Sequence, residues 1–105
     1  MGDKITKCMN QAAFLAHADC NLQEALDHAR MGLRKRTLVS LNRAADAVRM
    51  AKVPMAKMLI QRALNAAKDK TLSRKAVVSA VTDATVTLVM ENRAVYRKCG
   101  AKVDF

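Results

Sequence analysis

Glycine and proline are scarce in this 105-residue chain, at three and one, and no low-complexity stretch separates parts of it. That scarcity argues against a loop-rich or all-β fold and against two domains on a flexible linker. One domain spanning residues 1–105 is the natural count. Tryptophan is absent, and the aromatics are only Phe14, Tyr96 and Phe105. The core must therefore be built from Ala, Leu, Val and Met. The three cysteines, Cys8, Cys20 and Cys99, are odd in number and lack framework spacing, so reduced thiols in a cytoplasmic setting are expected rather than disulfides. No apolar run reaches the ~18 residues a membrane helix needs. The Met1-Gly2-Asp3-Lys4 start shows no secretory pattern, and the match of Gly2 and Thr6 to a myristoylation motif is too short to outweigh chance.

Acids are the other scarcity: nine, against nineteen Lys and Arg. The imbalance is local. Between Arg34 and Lys75 lie twelve basic residues and two acids, a net +10 equal to the formal charge of the whole chain. With so few carboxylates, none paired near a His, no Gly-rich phosphate loop and no Ser/His/Asp set, an enzyme is not expected, and neither is a cofactor.

What is present is helical periodicity, and it predicts an all-α, compact bundle of four to five helices with short turns and a long C-terminal helix. A first helix is expected from Lys4 to about His17, with Ile5, Cys8, Met9, Ala12 and Leu15 or Ala16 on its buried face. A turn follows at 17–20. Asn21 with Glu24 has the form of a capping box opening a second helix that ends near Gly32 to Arg34. Thr37 is expected to cap a third, with Leu38, Leu41, Ala45 and Val48 inward. Pro54 opens a fourth, to about Lys68. Ser73 or Thr71 caps the last, which runs to Lys98 with Gly100 beyond it. In this last helix Val78, Val81, Thr85, Leu88, Asn92 and Val95 step by three and four, a coiled-coil-like seam. That seam, or the apolar fourth helix, is where a homodimer is expected to form.

Several residue groups invite a chemical reading. Cys8, His17, Cys20 and His28 are metal-ligand types, but their spacing matches no zinc motif, and no metal site is assigned. Seven methionines at helical spacing read as core filler before they read as copper ligands or a Met-lined groove. Met31-Gly32-Leu33 with Leu38 and Leu41 fits the second half of a helix-turn-helix, with Ser40, Asn42 and Arg43 as base readers, but His28 stands where that motif wants a small residue.

The basic block is the strongest feature. In an antiparallel bundle, the turns at 34–36 and 68–75 fall at one end, joining Arg34, Lys35, Arg36 and Arg43 with Lys68, Lys70, Arg74 and Lys75. Cations gathered on one surface fit a polyanion, since each one that meets a phosphate releases condensed counter-ions. The block holds no aromatic for base stacking, which favours duplex nucleic acid, DNA above RNA, over a single strand. The expectation is a small basic protein that engages duplex nucleic acid as a regulator or architectural factor. The alternative is a protein–protein interaction module, adaptor or inhibitor, docking this face on an acidic partner.

Overall fold

The computed structural model describes the backbone of residues 2–49 and 51–98, and side chains from Asn10 onward except at positions 50, 96 and 98. Among the described residues there are four helices and no strand: α1 (Gly2–Arg30), α2 (Arg34–Val48), α3 (Pro54–Lys68) and α4 (Arg74–Lys98). Helix α1 packs on α2 and α4, and α3 packs on the same two, so α1 and α3 sit on one diagonal and α2 and α4 on the other. With connections of only three to five residues, this is an up-down-up-down bundle, 51 × 23 × 19 Å in extent.

The helices differ in length, and that shapes the molecule. At 1.5 Å per residue, α2 and α3 are about 22 Å long and α1 about 43 Å. The four-helix section is therefore short. Burial follows it: the first buried side chain of α1 among the described residues is Leu15, and the last of α4 is Leu88. Inside the section, Leu15, Leu22, Leu41, Val48, Val53, Ile60, Val81 and Leu88 are essentially solvent-free, interleaved with alanines at 18, 25, 44, 56, 63, 67 and 84. Small side chains at these contacts let helix backbones approach closely, which compensates for the lack of aromatic bulk.

One expected break is absent. Helix α1 is continuous through 17–20, and Asn21 is not an N-cap: its Nδ2 donates to the His17 carbonyl at 2.9 Å, one turn back. Neither Gly nor Pro lies between residues 3 and 31. Leu15, Ala18, Leu22, Ala25 and Ala29 carry one buried stripe straight across the expected turn. A capping box marks a helix start only where the chain has another reason to turn. Cys8 and Met9, placed on the buried face by periodicity, lie outside the described side chains, and Cys99 and Gly100 outside the described residues.

Helix α1 stops where the backbone can reverse. Gly32 has φ +75°, and Leu33 N–H donates to His28 O at 2.9 Å while Gly32 N–H donates to Ala29 O at 3.0 Å. That is the Schellman pattern, with Gly32 as the left-handed residue. Helix α2 then starts at Arg34, three residues before the expected cap. Thr37 is buried within it, and its hydroxyl donates to Leu33 O at 2.8 Å.

Pro54 opens α3 as expected, and α4 begins behind Ser73, whose Oγ accepts the Ala76 N–H at 3.2 Å. The α3 N-terminus is closed from afar: the Glu91 carboxylate on α4 accepts the Ala56 N–H. A negative group there also meets the positive end of the helix dipole.

The seam on α4 is real but is used within the chain. Val81 and Leu88 are buried, and Val78 and Val95 pack half-buried against the core. The Thr85 hydroxyl is satisfied by Val81 O at 2.9 Å on its own helix. The buried positions of this seam, Val81, Thr85 and Leu88, are thus packed within the chain.

Candidate functional site

Two turns meet at the end of the bundle where α1 finishes and α4 begins. The link is Arg34. Its Nη1 donates to Ala67 O at 2.7 Å and Asp69 O at 2.8 Å, and its Nη2 to Leu72 O at 3.3 Å. Residue 34 thus caps the C-terminus of α3 and holds the 69–73 turn. Asn65 and Ala66, the neighbours whose carbonyls also lack an intrahelical partner, accept the Asp69 N–H. Beside it the Arg74 side chain passes Gly32, where an added Cβ would sit 3.7 Å from Arg74 Cδ. Ala29, Gly32, Arg34, Thr37, Arg74 and Val77 line a small pocket of about 70 Å³ between the turns.

The turn itself is braced by Asp69. Its Oδ1 accepts the Thr71 hydroxyl at 2.6 Å and the Thr71 N–H at 2.9 Å. These hydrogen bonds, with a smaller contribution from the Arg34 charge, hold the Asp69 carboxyl below its ordinary value of 3.8.

Around this junction Lys35, Arg36, Lys68, Lys70, Arg74 and Lys75 are exposed, and Arg34 is half-buried. Among the described residues, none of these cations forms an ion pair within the chain; an ion pair of Arg49 with Asp46, at 2.6 Å, lies at the other end of α2. Arg43, exposed two turns along α2 from Arg36, extends the same charge up the α1–α2 side. There Lys35, Arg36 and Arg43 share a groove of about 280 Å³ with Glu24, His28, Val39 and Ser40. The two clusters picked out by charge alone thus lie at one end of the molecule, with Arg43 leading away from it.

Two helix C-termini, of α1 and α3, and two N-termini, of α2 and α4, share this end. Both α2 and α4 start at this end, and neither has an acid in its first turn. Each instead begins with cations, Arg34-Lys35-Arg36 and Arg74-Lys75. A cation at a helix N-terminus is unfavourable by roughly 0.3–1 kcal/mol at low salt. The C-termini of α1 and α3 finish at the same end and offset the α2 and α4 dipoles, so the positive field there comes from the cations, and an anion placed beside them relieves their mutual repulsion.

The structure divides the cations into two kinds. Arg34 directs its fork inward to carbonyls, so it builds the site and its charge adds only to the background field. Lys35, Arg36, Arg43, Lys68, Lys70, Arg74 and Lys75 are exposed residues, with the Arg74 guanidinium lying beside Gly32. Nothing in the sequence separates Arg34 from its neighbours, because its partners lie 33 to 38 residues away.

Other sequence candidates are not assembled. Ser40 is 2% exposed and cannot reach a base edge, although Asn42 and Arg43 are exposed. His17, Cys20 and His28 lie along one straight helix, and 17 to 28 spans about 16 Å of its axis, so they do not converge. Among the described residues no trio of His, Cys, Asp or Glu is placed to hold a metal ion. Met55 and Met58 are exposed on α3 rather than packed in its core face. Among the described residues no helix is long and apolar enough to cross a membrane. No known protein family, curated protein or solved structure matches the chain.

Proposed function

We propose that this protein is a small basic binding module that engages duplex nucleic acid, DNA above RNA, through phosphate contacts at the end of the bundle where α2 and α4 begin. The observation that carries the reading is the convergence of two cationic turns, 34–36 and 68–75, on that end, with both helix N-termini there free of acids. Lys35, Arg36, Lys68, Lys70, Arg74 and Lys75 are the phosphate contacts, and Arg43 extends the track along α2. The role is architectural or regulatory, and sequence reading in the groove is limited to Asn42 and Arg43. No chemical step is assigned. A protein partner with an acidic surface would exploit the same field, and the presence or absence of duplex binding separates the two.

The experiment is duplex DNA and RNA binding across a salt series, with wild type and a Lys35→Ala/Arg36→Ala/Lys70→Ala variant. Arg34 is left intact so that the turn stays closed. Affinity is expected to fall as a steep power of salt, and the slope to drop by about 0.9 for each phosphate contact removed. Absence of duplex binding at low salt would refute the reading and promote the acidic-protein partner.

A further inference from the structure

The small pocket between the two turns brings two guanidinium groups together with no carboxylate among the described residues that line it. Ala29, Thr37 and Val77 are buried at its base, and Arg34 and Arg74 flank it. Asp69, whose charge reaches Arg34, does not line it, and its Oδ1 accepts both Thr71 donors. Arg34 donates three of its five N–H groups to carbonyls, which leaves Nε–H and one Nη2–H uncommitted among the described residues.

The two arginines differ in how they meet a helix end. Arg34 satisfies carbonyls at the C-terminus of α3. Arg74 lies beside the C-terminus of α1 but makes no such bond, because the carbonyls of Asp27, His28 and Ala29 accept the N–H groups of Met31, Leu33 and Gly32. Arg74 Cδ and Nη1 both lie 3.7 Å from the position a Gly32 Cβ would take, so the guanidinium rests on the turn. Among the described residues it has neither a hydrogen bond nor an ion pair. Two like charges thus flank a recess whose base includes Ala29 and Val77. Apolar surroundings strengthen both their mutual repulsion and their attraction for an anion.

Size and charge narrow the ligand. At a liquid share of ~30 Å³ per water, the pocket's volume of about 70 Å³ is room for one tetrahedral oxyanion and too little for a base. A phosphate inside a strand carries one charge and continues into a sugar on both sides. A terminal monoester carries about −1.5 to −2 at pH 7 and has three free oxygens. It can enter a recess from one side and offer an oxygen to each guanidinium. We infer that the pocket between Arg34 and Arg74 seats the terminal phosphate monoester of a nucleic-acid strand. This rests on the proposed function for the remainder of the strand, and adds to it a preference for phosphorylated ends.

The test is binding of one short blunt duplex with phosphorylated termini beside the same duplex with hydroxyl termini, at a single salt concentration. The phosphorylated form is expected to bind at least ~10-fold tighter, the minimum for one added hydrogen bond between charged groups. Arg74→Gln is expected to abolish that preference. Lys75→Gln removes the same charge one residue on, outside the pocket, and is expected to weaken both forms alike while the preference stays. Arg34 is left intact because it holds the turn, and circular dichroism checks that both variants are folded. Inorganic phosphate titrated into the wild-type chain is expected to give saturable amide shifts at Gly32 and Val77 that Arg74→Gln removes. Equal affinity for the two duplexes, a preference that survives Arg74→Gln, or phosphate shifts that do not saturate would each overturn the inference and leave the polyanion reading standing. Failure of both duplexes to bind would refute the proposed function itself, and this inference with it.

Discussion

Replacing Arg34 with alanine separates a residue that builds the cationic end from those that act on it. The substitution removes three hydrogen bonds from a charged donor to the carbonyls of Ala67, Asp69 and Leu72. Bonds involving a charged group contribute roughly 1.5–3 kcal/mol each when shielded. Here the one to Ala67 is part-buried and the other two are exposed, so water takes over most of the latter. The part-buried bond accounts for about 2 kcal/mol and the exposed pair adds a few tenths. Relief of the unfavourable cation at the α2 N-terminus returns up to about 0.5 kcal/mol. The net expectation is a loss of about 2 kcal/mol. For a domain of this size, that lowers Tm by about 9 °C, from an unfolding entropy near 2.1 cal/mol/K per residue.

The assay is thermal and urea unfolding of Arg34→Ala beside Arg34→Lys and Lys35→Ala. An ammonium cannot fork to three carbonyls, so the lysine variant should recover less than half of the loss. Lys35→Ala, on an exposed side chain, should stay within about 0.5 kcal/mol of wild type. An Arg34→Ala variant as stable as Lys35→Ala would refute the clamp, and with it the argument that the two basic turns are held together by this residue.

Three further substitutions probe the rest of the bundle. Asn21→Ala should be neutral or stabilising by up to ~0.5 kcal/mol, because alanine is the better mid-helix residue; a loss near 1 kcal/mol in urea unfolding would mean that Asn21 is a cap and α1 is broken. Glu91→Ala should cost about 1–2 kcal/mol by leaving the α3 N-terminus without its carboxylate, and hydrogen exchange should accelerate at Ala56 and its neighbours. Asp69 has a depressed folded-state pKa, so its contribution is complete above its ordinary value of 3.8 and is lost as pH falls through the lower folded value. The carboxyl should therefore titrate by NMR below 3.8, and Asp69→Asn should flatten the acid limb of stability; a titration at or above 3.8 would contradict the Thr71 brace.

How much of this could be read before folding depends on the range of the interaction. Pro54, Ser73 and Gly32 act on neighbours within a few residues, so the start of α3, the start of α4 and the end of α1 follow from local chemistry. The stripes of α2 and α4 are likewise local, since period alone says which side faces inward. Asn21 misleads because a capping sequence is only a preference, and the uninterrupted buried stripe from Leu15 to Ala29 overrides it. Thr37 misleads in the same way: the Schellman turn at Gly32 lets α2 begin earlier, and the threonine is then drawn into the core with its hydroxyl satisfied by Leu33.

By itself, the sequence determined that the chain is helical, that its net charge is confined to residues 34–75, and that those cations alternate with buried faces. Each of these is a property of composition and spacing along one helix. Tertiary structure decided which cations share an end, that Arg34 turns inward while Lys35 and Arg36 do not, that Glu91 closes α3, and that the buried positions of the α4 seam are packed within the chain. Those outcomes join residues more than thirty positions apart. They depend on which helix lies beside which, and no local preference encodes that.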